Sequence, residues 1–147
     1  VSFLKKNTDK IIFISVKDEA SQNLSQETKD YFKQLGSGVE KLGFRGSWVA
    51  IIKNEKIIFE KINNSGNAEI TLNRDNYLNG MPISKDIFLH SSGKDHGNQS
   101  IIKINDVDYS RKLRGINVVV TDADLNVIDL INFDTHLGIN GFSFSFY

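Results

Sequence analysis

The sequence predicts an α+β fold, with mostly antiparallel β-sheets flanked by short helices. Two β-branched runs, at 116–121 and 127–133, flank the polar segment 122–126. Branched side chains suit a pleated surface and Asp and Asn suit turns, so this region predicts a two-stranded hairpin. Further apolar runs are too short for buried helices and favour strands. Helical patterns occur only early in the chain, so strands outnumber helices.

The first third of the chain is predicted to contain the end of a helix, a strand, a second helix and a second strand, in that order. Residues 1–6 are amphipathic and end a helix, and the apolar run at 11–16 indicates a buried strand. A polar loop follows at 17–21. Ser25 is a suitable N-cap for the next helix, which Gly36 would end. A second apolar strand is predicted at 47–52, where the single tryptophan lies.

The remaining chain is predicted to be rich in strands. The run 116–121 has no polar interruption after Asn117, which predicts a central strand with both faces covered. At the end of the chain, aromatic residues alternate with serine, which indicates an amphipathic strand available for pairing with another chain. Its aromatic residues are Phe142, Phe144, Phe146 and Tyr147. Other strands are predicted at 56–62, 69–72, 86–90 and 100–104, with a loop at 73–82.

Composition bounds the class of protein. The 147 residues suit one domain, and 39% hydrophobic with 24% charged residues indicates a globular chain. The absence of net charge argues against non-specific binding of nucleic acid or an anionic membrane. No apolar run reaches the roughly 20 residues that a membrane-spanning helix needs, so no membrane insertion is predicted. The chain has no cysteine, hence neither disulfides nor thiolate metal ligands.

The residues do not favour catalysis, a metal or a cofactor. There is no Gly-X-Ser-X-Gly motif and no cysteine nucleophile, and the three histidines stand in unrelated contexts. His90 and His96 flank a glycine-containing loop and favour surface or turn roles, while His136 favours a structural one. Residues 122–126 imitate the start of a calcium loop, but its sixth position is Val127 instead of glycine. Its twelfth is Phe133 instead of glutamate, so a hairpin turn is the better interpretation.

Four sequence blocks resemble one family. They are Arg-Gly-Ile-Asn-Val-Val-Val at 114–120 with Phe-Asp-Thr-His at 133–136, Val-Lys-Asp-Glu-Ala-Ser at 16–21, Leu-Gly-Ser at 35–37, and Leu-Gly-Phe-Arg-Gly-Ser-Trp-Val at 42–49. This pattern resembles the interleukin-like EMT inducer / PANDER domain family. The resemblance implies two sheets flanked by short helices around a polar cavity. Animal members of the family are secreted and disulfide-bonded, so the lack of cysteine suggests a microbial or viral relative.

The blocks stand in the reverse of the family's order. The resemblance assigns 1–53 to the family's second half, 54–83 to a junction, 84–135 to its first half and 136–147 to a terminal strand, all within one domain. Two explanations are open. Either the module is circularly permuted, or neighbouring chains complete each other, which would make a polymer through strand exchange.

Three charged residues at the edges of apolar strands form the candidate site: Asp18, Arg45 and Arg114. A charge in such a place must find a partner or water, so one interpretation is an ion-pair network that joins the halves. The resemblance implies another. In the stem domain of a glycosyltransferase that is similar in these blocks, the matching Asp and two Arg line a sugar pocket. Supporting residues would be Trp48, Glu19 and Asn117. Position 46 departs from that pattern, with Gly46 where an acidic residue is usual.

The sequence thus predicts a non-catalytic recognition module of an extracellular, cell-surface or virion protein, whose partner is a glycan or glycoprotein. The alternative is a structural subunit of a filament, fibre or virion appendage, which self-assembles by strand exchange into a homo-oligomer or polymer. A secreted cytokine-like ligand has the least support in the residues. No nucleic-acid partner is predicted.

Overall fold

The computed structural model describes residues 2–18, 24–93, 97–110, 113–133 and 142–146. The helical elements are α1 (Ser2–Lys6), α2 (Gln26–Gln34) and a 3-10 turn (Val39–Lys41). The strands of the first half are β1 (Ile11–Asp18), β2 (Ser47–Lys53), β3 (Lys56–Asn63), β4 (Ala68–Leu72), β5 (Tyr77–Leu78) and β6 (Met81–Pro82). Those of the second are β7 (Ile87–Gly93), β8 (Gln99–Ile104), β9 (Val107–Asp108), β10 (Gly115–Thr121), β11 (Val127–Phe133) and β12 (Phe142–Phe146).

The predicted α+β class is confirmed, because strands dominate and the described helices are short. Two local predictions were wrong. β1 continues through Lys17 and Asp18, which were assigned to a polar loop, because a new partner strand pairs with them. The segment 73–82, assigned to a loop, contains the small hairpin of β5 and β6. Its strands are only two residues long and leave no periodicity to detect.

Apart from the β5–β6 hairpin, the strands form one connected ten-stranded arrangement that divides at β1 into a six-stranded and a four-stranded sheet. Six run in the order β3-β2-β1-β10-β11-β12, and every neighbouring pair is antiparallel. The second sheet has the order β4-β7-β8-β9, also antiparallel. The two sheets meet where Lys17 and Asp18 at the end of β1 pair in parallel with Ser92 and Gly93 of β7. β1 therefore belongs to both.

Alternation along the strands divides the core into two hydrophobic clusters. Ile12, Ile14 and Val16 of β1 point toward α1 and α2, whereas Ile11 and Phe13 point toward the second sheet. The layers are thus helices, six-stranded sheet and four-stranded sheet. The prediction that the strand at 116–121 is central with both faces covered is confirmed: every residue of β10 is buried, and β10 lies between β1 and β11.

Helix α2 has the predicted boundaries. The Ser25 hydroxyl accepts a hydrogen bond from the Thr28 amide at 3.1 Å, as an N-cap should. At the other end Gly36 adopts a φ of 95°, the left-handed conformation that glycine tolerates after a helix. The buried Phe32 meets Trp48 edge to face, with 5.3 Å between ring centroids, and so attaches α2 to β2.

Buried serines fill the gap where β1 leaves β2 and joins β7. The Ser91 hydroxyl donates to the Val16 carbonyl at 2.6 Å and accepts from the Trp48 amide at 3.0 Å, which connects three strands. Ser15 donates to the His90 carbonyl at 2.6 Å. These hydroxyls replace the ladder bonds that diverging strands cannot make, and so satisfy backbone groups that are out of reach of water.

Ser47 extends this group toward Gly93, and we call Ser15, Ser47 and Ser91 together the serine junction. The Ser47 hydroxyl donates to the Gly66 carbonyl at 2.6 Å and accepts from the Gly93 amide at 3.0 Å. A side chain at Gly93 has no space, since a Cβ there would lie 1.8 Å from the carbonyl oxygen of Arg45. The close approach of the strand β7 to the turn before β2 therefore requires glycine at this position.

Segments from the two ends of the chain share the six-stranded sheet. β1 pairs with β10 of the same chain from Ile11–Thr121 to Lys17–Gly115. Whether the family halves belong to a permuted module or are completed between chains stays a prediction. The terminal strand β12 pairs antiparallel with β11 of the same chain, from Asp129–Phe146 to Phe133–Phe142. Tyr147 lies outside the described residues. No described helix has the length and apolar character needed to cross a membrane.

We expect Ser91→Ala to lower the free energy of unfolding by about 2–3 kcal/mol, because it leaves the Val16 carbonyl and the Trp48 amide buried without a partner. Chemical denaturation monitored by the fluorescence of Trp48 measures the change. The matched control is Ser65→Ala, in an exposed turn, which should change the stability little. Equal effects of the two substitutions would contradict the role given to the serine junction.

Candidate functional site

The structure brings Asp18, Arg45 and Arg114 to one end of the six-stranded sheet. Asp18 is the last residue of β1, Arg45 lies two residues before β2, and Arg114 directly precedes β10. β1 runs antiparallel to both neighbouring strands, so its end lies beside their beginnings. The three residues come from distant parts of the chain, and the sheet register alone makes them neighbours.

Asp18 combines an unusual backbone with an unsatisfied side chain. Its φ is 69°, in the left-handed region that costs most residues energy. Its Oδ1 is buried and has no hydrogen-bond partner, and no described residue forms an ion pair with it. A buried acceptor without a donor is rare in native proteins because its desolvation is not offset. Among the described residues, the predicted ion-pair network has no member at this carboxylate.

Arg45 is also in the left-handed region, with a φ of 57°. Its guanidinium carbon lies 4.7 Å from the ring centroid of Phe44, within the range of a cation–π contact. Phe44 is 55% exposed, which is uncommon for a phenylalanine beside a buried strand. A bulky residue in this conformation persists only where its surroundings impose it, and such residues cluster at functional sites.

A turn from the neighbouring strands holds Arg45 in place. The side chain of Asn64, between β3 and β4, accepts from the Gly43 amide at 2.7 Å and donates to the Lys41 carbonyl at 3.0 Å. A Cβ at Gly46 would lie 2.4 Å from the Asn64 oxygen. The departure from the family pattern at Gly46 thus has a local cause, because Asn64 occupies the space that a side chain there would need.

Arg114 is exposed, and two buried amides fix its backbone. Asn132 donates to the Arg114 carbonyl at 3.0 Å and to the Asn117 side-chain oxygen at 3.3 Å. Asn117 in turn donates to the Leu113 carbonyl at 2.7 Å. Asn117, predicted to support a ligand, is fully buried in this network. It therefore acts on Arg114 through the backbone.

Trp48, the other proposed supporting residue, lies in the core. It is fully buried, packs on Phe32 and donates from Nε1 to Glu60 at 3.0 Å. Its ring therefore presents no face to a ligand. An exposed aromatic at this end of the sheet is Phe44, which the sequence analysis missed although it directly precedes Arg45. Glu19 lies outside the described residues.

Asn98 is a second feature that the sequence analysis missed. It adopts a φ of 54°, and its amide donates to the carbonyl of Gly93 at 3.0 Å. Its side-chain Oδ1 is buried and without a hydrogen-bond partner, like that of Asp18. Since Asp18 pairs with Gly93 in the β1–β7 ladder, the two residues with an unsatisfied acceptor both contact this glycine through their backbones. In the sequence, Asn98 reads as an ordinary turn residue.

His90 differs from its predicted surface or turn role. It lies within β7 with its side chain only 11% exposed, because Glu69 on β4 and Ser92 on β7 enclose it. Its Nδ1 is 2.6 Å from a Glu69 carboxylate oxygen, and its Nε2 hydrogen-bonds to the Ser92 hydroxyl. Ser92 is itself buried beside Gly93. His96 and His136 lie outside the described residues.

The segment that imitates a calcium loop is a hairpin turn. The Asp122 carboxylate accepts from the amides of Asp124 and Asn126, both at 2.9 Å, and from the Asn126 side chain at 3.1 Å. These hydrogen bonds, led by that of the Asn126 amide, hold the pKa of Asp122 below its ordinary value. The carboxylate thus stabilises its own turn.

We expect the stability of the protein to depend on the charge of Asp122. Because the pKa is lower in the folded than in the unfolded state, the stabilisation is complete above the ordinary aspartate pKa. It disappears as the pH falls through the lowered folded value. Asp122→Asn should therefore be less stable than the wild type at neutral pH, and the difference should vanish in acid.

Denaturation midpoints measured from about pH 2 to about pH 7, a range that includes the titration of aspartate, check this prediction. Asp124→Asn in the same turn is the control and should retain the wild-type pH dependence. A stability difference between wild type and Asp122→Asn that stays constant with pH would contradict the assignment.

Fold and site together define a two-sheet domain in which residues with left-handed backbone lie at a junction between the sheets. Residues 2–56 match the model of the family described as Interleukin-like EMT inducer, which confirms the resemblance of the motifs at 16–21, 35–37 and 42–49. The motifs at 114–120 and 133–136 lie outside the match, and the swapped order of the blocks stays a prediction. The matched segment contains Asp18 and Arg45, whereas Arg114 lies beyond it. No curated protein and no solved structure was found to match the chain.

Proposed function

We propose that this protein is a non-catalytic extracellular recognition module that binds carbohydrate. The binding site is the end of the six-stranded sheet where Asp18, Arg45 and Arg114 lie. The family match supports an extracellular domain of the cytokine-like class. The match does not distinguish a secreted or cell-surface protein from a virion protein. Sugar binding is the finer step, and it rests on the geometry of the site.

The observation that carries the proposal is the unsatisfied Oδ1 of Asp18. A buried carboxylate oxygen costs free energy unless a donor reaches it. Sugar hydroxyls are such donors, and they make short charge-assisted hydrogen bonds to carboxylates. A guanidinium supplies the complementary donors for sugar oxygens, in a fixed plane.

Two further features support a carbohydrate over a peptide or a nucleic acid. Phe44 is exposed next to Arg45 and offers an apolar ring at the site. Aromatic rings of this kind can cover the apolar face of a sugar. The chain has 18 basic and 18 acidic residues, so no overall charge favours a polyanionic partner.

We expect Asp18→Asn and Arg45→Asn each to weaken glycan binding by roughly tenfold or more, because each removes a charged hydrogen-bonding group. Asparagine tolerates the left-handed backbone at both positions, so the fold should remain intact. Binding would be screened on a glycan array and measured by isothermal titration calorimetry with the best glycan.

Asp75→Asn and Arg74→Asn are matched controls in the exposed turn after β4. They change the same charges and should leave the affinity unchanged. If the wild-type protein binds no glycan on the array, or if the control pair weakens binding as much as the site pair, the proposal is wrong.

The alternative function is a structural subunit that assembles by strand exchange. One observation favours it: β12 is the outermost strand of its sheet, and among the described strands it pairs with β11 alone. Another copy could supply the same strand, since the pairing uses backbone hydrogen bonds and the register of only five residue pairs.

Light scattering after size exclusion separates the two functions. For the recognition module we expect a single species near 16.6 kDa at all concentrations, because β12 closes on its own chain. The alternative predicts larger species that become monomers when residues 141–147 are removed. Such a result would place the structural function first.

A further inference from the structure

We infer that Asn98 is a ligand-binding residue, and that Asp18 and Asn98 form a pair of acceptors for two adjacent hydroxyl groups of one sugar ring. The inference rests on the proposed function and names the ligand chemistry of the same site. Asn98 contributes an oxygen from the loop after β7, a segment that none of the sequence motifs includes.

Both oxygens share three properties. Each belongs to a residue in the left-handed conformation, with φ of 69° for Asp18 and 54° for Asn98. Each is buried without a hydrogen-bond partner. Each residue is attached to Gly93, Asp18 through the β1–β7 ladder and Asn98 through its amide.

Gly93 fixes the position of this pair. The Arg45 carbonyl occupies the place of a Gly93 side chain, and the Ser47 hydroxyl binds the Gly93 amide at 3.0 Å. β1 and β2 thus both hold this glycine of β7, and the backbones of Asp18 and Asn98 are attached to it. A site whose groups are fixed in advance loses little entropy when the ligand binds.

The chemistry of the pair limits the ligand. A carboxylate oxygen and an amide oxygen only accept hydrogen bonds, so the ligand must bring two donors. Both residues contact Gly93 through their backbones, which suits donors on neighbouring atoms of a rigid ring. Adjacent hydroxyls of a pyranose meet this requirement, and the nearby Arg45 can donate to the oxygen atoms of the same hydroxyls.

The experiment measures affinity and stability in the same variants. Asn98→Gly removes the amide oxygen and retains the left-handed backbone without strain. We expect it to weaken binding about tenfold, the effect of losing one hydrogen bond to the ligand. Its denaturation midpoint should stay the same or rise, because an unsatisfied buried acceptor is removed.

Two controls share its backbone conformation. Asn79→Gly, at a φ of 50° in the exposed β5–β6 turn, should change neither property. Asn105→Gly, at a φ of 52°, removes an oxygen that accepts from the Asp86 amide at 2.9 Å. It should lower the denaturation midpoint and leave the affinity as it was.

The ligands are the methyl glycosides of glucose, galactose, mannose and N-acetylglucosamine, with the 3-deoxy and 4-deoxy analogues of the one that binds best. One deoxy analogue lacks the hydroxyl that donates a hydrogen bond to Asn98, and it should bind the wild type about tenfold more weakly than the parent glycoside does. The Asn98→Gly variant should bind this analogue and the parent glycoside equally well. This non-additivity identifies the contact.

The outcomes separate the inference from the proposed function. If Asp18→Asn loses the affinity while Asn98→Gly keeps it, or if Asn98→Gly and the deoxy analogue act additively, the acceptor pair is wrong and sugar binding stands. If no glycoside or arrayed glycan binds the wild type, the proposed function fails and the inference fails with it.

Discussion

The change of partner along β1 is the constraint on which the other elements depend. Over residues 11–15 the strand pairs with β2, and over residues 17–18 it pairs with β7, while β10 follows its other edge. A strand that turns from one sheet to another must leave backbone groups without ladder partners. Serine can satisfy such groups in little space, which explains the buried hydroxyls of Ser15, Ser47 and Ser91.

The same divergence produces the candidate site. Where β2 and β7 separate, neither can continue the ladder, and the chain enters the left-handed conformation at Asp18 and Arg45. The Oδ1 of Asp18 at this point is enclosed without a hydrogen-bond partner. A protein that holds such an atom has given up some stability there, as binding sites commonly do. The position of the site therefore follows from the topology.

Much of the fold could be predicted from local patterns. The runs at 11–16 and 116–121 have the continuous apolar character of strands covered on both faces, and the structure buries them on both. Ser25 and Gly36 mark the ends of α2 because capping is a local interaction. The extension of β1 into Lys17 and Asp18 could not be predicted, because only the distant Ser92 and Gly93 make it favourable.

The site was only partly predictable for a similar reason. Asp18, Arg45 and Arg114 stood out as charges at the edges of apolar strands, and motifs connected them. Trp48 was grouped with them by proximity in sequence, yet strand alternation turns its ring into the core beside Phe32. Asn98 and Asn64 carry no local signal, since asparagine in a turn is common. Asn64 is important through contacts across the fold to the turn before β2. Asn98 bonds to the nearby Gly93, and only the distant β1 brings Asp18 to the same glycine.

The pairing of β1 with β10 also determines how the chain can reach its native state. Ile11 faces Thr121 across the ladder, so the middle of the sheet joins residues from nearly opposite ends of the sequence. The chain must lose the entropy of closing a large loop before the β1–β10 hydrogen bonds and contacts can stabilise it. Topologies of this kind fold slowly. On the ribosome, β1 and β2 must wait as an incomplete sheet with an open hydrogen-bonding edge until β10 is synthesised. During that interval the nascent chain is exposed to mispairing with other chains.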